Sequence, residues 1–302
     1  MIKPLILVIG SSNTDMVIKT PRLPAPGETI LGGTFLMNAG GKGANQAVAA
    51  ARLGGAVTFI CKTGNDIFGK QSVQLFKAEG IDTSFIFEDP HQPSGVALIT
   101  VDDKGENCIA VASGANAHLT VQNIVQANEC IENTSIILMQ LEIPLETVEY
   151  TASVGAALNK KIILNPAPVC KLNDGLLQHI SIITPNETEA YMLTGIKVTD
   201  ETTAEQAARY LYAKGIATVI ITLGAKGALL LHENRCAVIH APVVQAVDTT
   251  AAGDVFNGAL AVALSENKPM LTAVDFACKA AALSVTRLGA QASAPYKQEL
   301  DI

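Results

Sequence analysis

The sequence predicts an α/β protein with a doubly wound, mainly parallel sheet that carries helices on both faces, plus a small separate β-sheet. Short continuous runs of apolar and β-branched residues recur along the chain, as is typical of strands buried on both faces of a parallel sheet. Segments with helical periodicity separate these runs, and such alternation favours parallel strands joined by helical crossovers. The 302 residues are 49% hydrophobic and 16% charged, which provides enough apolar surface for a large core.

The predicted strands and helices alternate in a regular order. Several helical segments stop at a glycine, the residue most often found just after a helix C-terminus because it adopts positive φ without strain. These glycines are Gly54, Gly80, Gly195 and Gly215. Strands are expected at 5–9, 57–61, 136–139, 161–164, 180–184 and 218–223, and helices at 43–53, 69–80, 121–132, 145–159, 186–194, 203–214, 251–264 and 271–287.

Two stretches interrupt this alternation. Residues 13–34 are rich in proline, and the apolar runs 95–101 and 107–111 flank an Asp-Asp-Lys-Gly turn, which is a hairpin signal. Since neither stretch has a helix to pair with, we expect them to form a small antiparallel sheet that covers either a cleft or a partner. The sequence therefore predicts one domain, 1–302, with lid strands contributed by about 13–34 and 93–112.

Charge and hydropathy exclude several classes of function. The net charge is −7 and no block of Lys and Arg is present, so a nucleic-acid partner, which needs a basic surface, is disfavoured. No apolar run reaches the length of about 18 residues that a membrane span needs. The first apolar run is short and ends in Gly10-Ser11-Ser12, which indicates a strand rather than a signal peptide. With six scattered cysteines, these features predict a cytoplasmic protein with reduced thiols and no zinc site.

The segment 247–258 carries the strongest chemical signal. Three small residues, Ala251-Ala252-Gly253, precede a helical pattern, so free main-chain N–H groups should converge there and attract an anion. Asp254 follows directly. A carboxylate beside an anion site makes sense as a base that takes a proton from an attacking hydroxyl. The alternative is an acidic side chain that only stabilises the first helical turn.

A glycine-rich segment, 38–46, is the second candidate. Its adjacent glycines allow the main chain to approach a ligand closely, and Lys42 and Asn45 add polar groups at a helix start. It is not a P-loop, because Gly41-Lys42 is followed by Gly43 instead of Ser or Thr. Composition alone therefore makes this segment a weak indication of ligand binding.

Further polar residues follow several of the predicted strands. In an open α/β sheet the ligand crevice lies beyond the carboxyl ends of the strands, so these residues should share one edge. Each residue taken singly is better explained as a helix cap or a solvated turn, and only their joint placement favours a site. The absence of a G-x-S-x-G elbow argues against an α/β-hydrolase. The residues are Asn13, Asp15, Glu142, Asn186, Glu189 and the loop 222–227.

Taken together, these segments resemble the ribokinase-like carbohydrate kinases. The stretches 40–46 and 248–258 look like the N-terminal and C-terminal signatures of that family, and the likeness runs from about Val8 to Pro295. Matches at 10–15, 139–142, 164–168 and 184–189 favour the branch of the family that acts on ribose. The resemblance implies MgATP-dependent transfer of the γ-phosphoryl group to O5 of D-ribose, with Asp254 as general base and the Ala251, Ala252 and Gly253 amides as the anion hole.

The resemblance also implies ligand sets for each substrate and cofactor. The sugar would be held by Asn13, Asp15, Gly41, Lys42, Gly43, Ala44, Asn45, Ala97, Ile109, Glu142 and Asp254. ATP would be held by Asn186, Thr222, Leu223, Gly224, Ala225, Lys226, Gly227, Gly253 and Cys278, with Glu189 binding Mg²⁺ through water. An activating monovalent cation, usually K⁺, would be bound by Asp248, Thr250, Ser284, Arg287, Gly289 and Ser293. The small sheet would close over the sugar and form a homodimer.

Other functions stay open at this point. The acceptor could be deoxyribose, a hexose, a phosphosugar or a nucleoside, although the absence of Trp and the low aromatic content of 4% argue modestly against a nucleoside base. Deoxyribose is the hardest to exclude, since it differs by one hydroxyl. A sugar-binding protein without activity is the non-enzyme alternative, but it would be expected to have lost Asp254 or the small residues before it.

Overall fold

The computed structural model describes residues 5–300. A nine-stranded sheet forms its centre, in the order β13-β12-β11-β10-β9-β8-β1-β4-β5, and a four-stranded sheet lies apart from it in the order β3-β2-β6-β7. The strands are β1 Leu5–Ile9, β2 Asn13–Lys19, β3 Thr34–Gly40, β4 Ala56–Gly64, β5 Ile86–Asp89, β6 Gly95–Val101, β7 Asn107–Ala112, β8 Thr134–Met139, β9 Lys161–Leu164, β10 Ile182–Ile183, β11 Thr218–Thr222, β12 Ala228–His232 and β13 Arg235–Ile239.

Ten α-helices are present within this described part of the chain. They are α1 Lys42–Arg52, α2 Ile67–Ala78, α3 Val121–Gln126, α4 Asn128–Asn133, α5 Leu145–Ala157, α6 Asp174–Leu177, α7 Glu187–Thr194, α8 Glu201–Ala213, α9 Ala252–Ser265 and α10 Met270–Ser284, with short 3₁₀ turns at Gly114–His118, Gly224–Lys226, Gln291–Ser293 and Lys297–Glu299. Across residues 5–300, no helix is both long enough and apolar enough to cross a membrane.

The large sheet separates two hydrophobic cores. Alternate residues of β1 face opposite sides: Ile6 and Val8 join the core formed with α1, α9 and α10, whereas Leu7 and Ile9 join the core formed with α5 and α8. All four side chains are fully buried. Strands β1, β4, β5 and β8 to β11 pair in parallel. The predicted fold class, a mainly parallel sheet covered on both faces, is confirmed.

Several element bounds differ from the prediction for local reasons. The single helix expected at 121–132 is broken at Ala127, whose φ of −102° and ψ of 17° lie outside the helical range. α3 therefore ends before this residue and α4 begins after it. The strand expected at 180–184 is reduced to Ile182–Ile183, and the helix expected at 271–287 ends at Ser284. The hairpin of β12 and β13 was not predicted. Its turn residues, Glu233 and Asn234, have positive φ and join two apolar runs.

The four-stranded sheet joins distant parts of the chain. The expected antiparallel sheet is wrong at one pairing: β2 pairs with β3 in antiparallel fashion but with β6 in parallel fashion, because β2 and β6 each follow a strand of the large sheet. β6 pairs with β7 as the predicted hairpin. The turn of that hairpin is closed by the Gly105 N–H, which donates to the Asp102 carbonyl at 3.0 Å. β3 was not predicted; it extends this sheet beyond residue 34 and leads directly into Gly41 and α1. The small sheet is thus connected on both sides to loops at the carboxyl edge of the large sheet.

Candidate active site

Asp254 lies in the first turn of α9, at the carboxyl edge of the large sheet. Ala251, the residue before the helix, has a left-handed conformation with φ of 60°. The Asp254 side chain is buried, and both of its oxygens accept hydrogen bonds from amide side chains of α1. Asn45 Nδ2 donates to Oδ2 and Gln46 Nε2 donates to Oδ1, each at 2.9 Å. Neutral donors therefore hold the carboxylate in one orientation.

The start of α9 leaves main-chain donors available. Within residues 5–300, the N–H groups of Gly253 and Asp254 have no hydrogen-bond acceptor, and that of Ala252 makes only a 3.3 Å contact with the Thr249 carbonyl. A Cβ added to Gly253 would meet no atom within 4 Å, so the space beside these donors is open. Free N–H groups at a helix start bind anionic oxygen. The geometry fits the anion hole that the sequence predicted.

Four further charged side chains surround Asp254. Burial raises the pKa of Asp254, whereas Lys42 and the hydrogen bonds from Asn45 and Gln46 lower it, and the net shift is upward. Burial lowers the pKa of Lys42, but Asp254, Glu142, Glu189 and Asp15 raise it above its ordinary value. Charged groups shift one another's pKa values in this way only when they lie close together. The structure therefore brings together four sequence-predicted residues around Asp254: Asp15, Lys42, Glu142 and Glu189.

Close approach of glycines brings these groups together. Gly41 has a φ of +88°, and a Cβ there would lie 2.7 Å from the Asn13 main-chain nitrogen. A Cβ on Gly43 would lie 2.6 Å from the Gly10 carbonyl carbon. The start of α1 thus packs directly against the loop after β1. Glu142 Oε2 spans the contact, accepting from the Lys42 N–H at 3.0 Å and the Ser11 hydroxyl at 2.5 Å.

Two of the predicted nucleotide segments meet at Asn186 and Thr222, and Asn186 also serves as a helix cap. Asn186 and Glu189 form a capping box for α7: Asn186 Oδ1 accepts from the Glu189 N–H at 2.8 Å, and Glu189 Oε2 accepts from the Asn186 N–H at 2.9 Å. Thr222 pairs with Asn186 through an isolated β-bridge and begins the loop 222–227. Gly227 closes that loop with φ of +105°, and its carbonyl accepts from the Leu223 N–H at 2.8 Å.

Cys278 is buried, as are Leu223 and Gly227 among the other predicted nucleotide residues. It lies on α10, is 3% exposed and belongs to the core beneath α9. Burial raises the pKa of its thiol to about 12, so it stays protonated at neutral pH. Any contact with a nucleotide is therefore limited to a small part of its surface.

The residues predicted to bind a monovalent cation form a connected pair of loops. The Asp248 carboxylate accepts from the Thr250 N–H and the Gly289 N–H, each at 2.9 Å, and so ties the segment before α9 to the segment after α10. The buried Ser293 hydroxyl donates to the Ala290 carbonyl at 2.8 Å. Arg287 is ion-paired with Glu299, so only its main-chain carbonyl is a reasonable ligand.

Metal chemistry here would rely on oxygen ligands. Across the described chain, residues 5–300, no group of three or more His, Cys, Asp and Glu side chains could hold a metal ion. Hard cations prefer carboxylate and carbonyl oxygens, and Mg²⁺ is commonly held by one or two carboxylates together with substrate phosphates and water. One carboxylate at Glu189, and a set of carbonyls around Asp248, fit these two preferences.

A buried amide network supports the site, and sequence reasoning missed it. Gln46 accepts at Oε1 from Gln140 Nε2 at 2.6 Å, while its own Nε2 is shared between Asp254 and Asn165 Oδ1. On the other side, Asn257 Nδ2 donates to the Gly253 carbonyl at 2.8 Å. The available signal was the presence of amides directly after apolar strands. The network comprises Gln46, Gln140, Asn165, Thr184 and Asn257.

The small sheet presents one face toward this cluster. Asp15 is in register with Ala97, and Ile99 of the same strand is in register with Ile109, so all four side chains share one face. Ala97 is buried, whereas Ile109 is 54% exposed. The structure therefore places the two predicted lid residues on the face that carries Asp15.

Comparisons with known proteins agree with this geometry. A "Ribokinase" of Haemophilus influenzae is 49% identical over 292 residues, which cover 97% of this chain and 95% of that protein. A "Deoxyribokinase" of Salmonella typhi is 38% identical over 293 residues, covering 96% and 95%. The structure of Arabidopsis thaliana ribokinase complexed with ribose and ATP superposes with a TM-score of 0.91 at 32% identity, covering 99% of this chain and 98% of that one. Residues 3–297 match the family described as pfkB family carbohydrate kinase. The chain therefore belongs to the pfkB family of carbohydrate kinases.

Proposed function

We propose that this protein is a ribokinase, which transfers the γ-phosphoryl group of ATP to O5 of D-ribose and releases ADP and D-ribose 5-phosphate. The observation that carries the proposal is Asp254, a buried carboxylate held by two amide donors beside the free N–H groups at the start of α9. Ribokinase relatives of nearly equal length support the choice of ribose.

Asp254 acts as the general base in this proposal. Its carboxylate takes the proton of the O5 hydroxyl as O5 attacks the γ-phosphorus, and the bond from that phosphorus to the bridging oxygen of ADP breaks. The main-chain N–H groups of Ala251, Ala252 and Gly253 stabilise the negative charge that develops on the transferring group. A positioned base contributes about 10²–10⁴-fold to the rate. Since Asp254 is shielded from water, the base is reserved for a hydroxyl that occupies the cleft.

The sugar is held mainly by side chains that accept hydrogen bonds. The carboxylates of Asp15 and Glu142 accept from hydroxyl groups, and Lys42 and Asn45 donate to sugar oxygens. Ala97 and Ile109 cover the apolar side of the ring from the small sheet. The remaining contacts come from the main chain of Gly41, Gly43 and Ala44 and from Asn13.

ATP binds along the loop 222–227, with Asn186 and Gly253 near its phosphates and Cys278 near its base. Mg²⁺ is bound through water by Glu189, whose Oε1 is not used in the capping box. When bound, Mg²⁺ neutralises phosphate charge. Burial raises the pKa of Glu189, whereas the hydrogen bond from the Asn186 N–H and the charge of Lys42 lower it, and the net shift is upward.

A monovalent cation such as K⁺ is bound by Asp248, Ser293 and the carbonyls of Thr250, Ser284, Arg287 and Gly289. When bound, it supplies a positive charge beside the anion hole. The loop before α9 is held in place by Asp248, whose carboxylate accepts hydrogen bonds from both Thr250 and Gly289.

The small sheet forms a homodimer interface in this proposal. Its face opposite Asp15 carries large apolar side chains that are exposed in a single chain: Ile18, Phe35, Met37 and Leu98 are 44%, 58%, 49% and 56% exposed. A second copy of the same sheet is the partner that would cover them. Light scattering of the protein in solution tests this assignment.

Deoxyribose is the second candidate substrate, because the Salmonella deoxyribokinase is a full-length relative at 38% identity. A coupled assay of ADP formation with D-ribose and with 2-deoxy-D-ribose, each with and without K⁺, distinguishes the two. We expect kcat/KM to be higher for ribose by at least tenfold, since a hydrogen-bonding pocket penalises a missing hydroxyl. A higher value for deoxyribose would overturn the proposed substrate while leaving the kinase assignment in place.

A further inference from the structure

Asn116 is a buried amide whose orientation is fixed by the main chain. It lies in the 3₁₀ turn Gly114–His118, directly after β7, and is 2% exposed. Its Oδ1 accepts from the Ser12 N–H at 2.9 Å, and its Nδ2 donates to the Ser12 carbonyl at 3.2 Å. Because a main-chain N–H only donates and a carbonyl only accepts, the Asn116 amide has one favourable orientation.

The same Nδ2 of Asn116 determines the orientation of Asn13. It donates to Asn13 Oδ1 at 2.7 Å, which turns the oxygen end of the Asn13 amide toward Asn116. In the part of the chain from residue 5 to residue 300, Asn13 Nδ2 donates to no protein acceptor. Asn13 and Asn116 line a cavity of about 480 Å³ together with Glu142. The nitrogen end of Asn13 is therefore the end available to a ligand.

The pair has little freedom to rearrange. A Cβ added to Gly95, the first residue of β6, would lie 2.1 Å from Asn13 Oδ1 and 2.3 Å from Asn116 Nδ2. The main chain of the small sheet is thus packed against the hydrogen bond between the two amides. Asn116 also follows β7 through Ser113, whose carbonyl accepts from the Asn116 N–H at 3.0 Å.

We propose that Asn116 is a positioning residue that fixes the amide of Asn13 as a hydrogen-bond donor toward the sugar. This inference rests on the proposed function, in which Asn13 contacts the sugar. Its chemical reason lies in the neighbours: Asp15 and Glu142 are carboxylates, which accept hydroxyl protons. A hydroxyl that donates to a carboxylate still has lone pairs free, and Asn13 Nδ2 is the group that fills them.

Two substitutions of Asn116 test this orientation. Asn116→Asp keeps the shape and the acceptor for the Ser12 N–H but removes the donor to Asn13 Oδ1. The Asn13 amide is then expected to turn over and present its oxygen to the sugar. We expect the KM for the sugar to rise about tenfold, the worth of one hydrogen bond, with kcat within about threefold of wild type. Asn116→Ala, which adds no charge, should raise KM in the same direction.

A double-mutant cycle separates positioning from general damage. Asn13→Ala alone should raise KM, and adding Asn116→Ala should raise it no further, because the effect of Asn116 passes through Asn13. Asn13→Asp, which still accepts from Asn116 but offers no donor, should raise KM as much as Asn13→Ala. Thr147→Val is the matched control: it removes a buried 2.7 Å hydrogen bond to the Leu119 carbonyl without touching either asparagine.

The outcomes are distinct. Additive KM effects in the cycle, an unchanged KM in either Asn116 variant, or a wild-type KM in Asn13→Asp would each overturn the role of Asn116. All variants are assayed with the pentose that the wild-type enzyme phosphorylates best. If the wild-type enzyme is inactive toward ribose, the proposed function is overturned. The double-mutant cycle, assayed with the alternative pentose, still tests the role of Asn116. Circular dichroism and thermal unfolding identify any variant that has lost its fold.

Discussion

The cleft contains a buried carboxylate, Asp254, and a half-buried one, Asp15, whose surroundings differ in kind. Asp254, at the start of α9, accepts one amide hydrogen bond at each oxygen from α1. Asp15, on β2 of the small sheet, accepts no hydrogen bond from residues 5–300 and packs against Gly40, where a Cβ would lie 2.2 Å from its Oδ2. Burial raises the pKa of both. For Asp15, the charges of Glu142 and Asp254 raise it further, to about 6.

This difference separates the roles of the two side chains. Donors that stabilise a carboxylate also fix its direction, so Asp254 has the single orientation that the proposed general base requires. Asp15 has unused acceptor capacity, which the hydroxyls of a sugar would satisfy in the proposed function. The protein itself orients the Asp254 carboxylate, whereas the Asp15 carboxylate would be oriented by the proposed substrate.

Removing the base should produce the largest effect. Asp254→Asn keeps the size of the side chain but cannot accept a proton, so kcat should fall by about 10²–10⁴-fold. The KM for ribose should stay within about threefold, because the proposed sugar ligands Asp15, Lys42 and Glu142 are unchanged. Steady-state kinetics measure both constants. Asp174→Asn, at an exposed pair with Lys214, is the control and should be fully active. Near-normal turnover of Asp254→Asn would contradict the mechanism.

A smaller effect is expected from Asp15→Asn, and it depends on pH. The Asp15 pKa of about 6 means that its carboxylate is charged above pH 6 and protonated below it. Wild-type kcat/KM for ribose should therefore decline as pH falls below 6, approaching tenfold per unit. Asp15→Asn should lower kcat/KM about tenfold at pH 8 and abolish this part of the profile. A profile of Asp15→Asn that still declines below pH 6 would assign that limb to another group.

The same substitution should stabilise the fold at high pH. The folded-state pKa of Asp15 lies above its ordinary value of 3.8, so the native state binds the proton more tightly than the unfolded chain. Stability then decreases as pH rises from about 4 to 6, and the full penalty is present above pH 6. Relieving it in Asp15→Asn should raise stability at pH 8 by up to about 3 kcal/mol. Thermal unfolding at pH 5 and pH 8 checks the sign, since the gain must be larger at pH 8.

The extent to which sequence predicted this molecule varied by element. Periodicity identified most strands and helices of the large sheet because each lies between buried layers with a regular pattern. It missed β3, because its Thr-Phe-Leu-Met-Asn-Ala-Gly pattern has no regular alternation and both its faces are partly exposed. It also joined α3 and α4, since nothing in the composition of Ala127 marks the break.

Local sequence patterns identified residues of the candidate site but not their hydrogen-bond partners. Asp254 and the small residues before it could be recognised because a helix start has known chemistry. Asn45 and Gln46 lie about 210 positions earlier in the chain, and only the crossing of α1 and α9 reveals that they hold Asp254. That crossing is close because Gly258 lacks a Cβ, which would lie 2.8 Å from the Gln46 carbonyl oxygen.

Two glycines near the site lie in different surroundings, since Gly253 faces open space and Gly43 is tightly packed. We expect the smallest change in the free energy of unfolding from a substitution at Gly253. A Cβ there meets nothing within 4 Å, and φ is not in the left-handed region, so Gly253→Ala should leave stability unchanged or raise it by about 0.5–1 kcal/mol. Activity should still fall about tenfold, because the methyl group enters the open space beside the N–H groups of the proposed anion hole. Gly43→Ala is the contrasting variant: its Cβ would lie 2.6 Å from the Gly10 carbonyl carbon, so it should lower the Tm. Full activity in Gly253→Ala would show that the open space beside α9 is not where the transferred group passes.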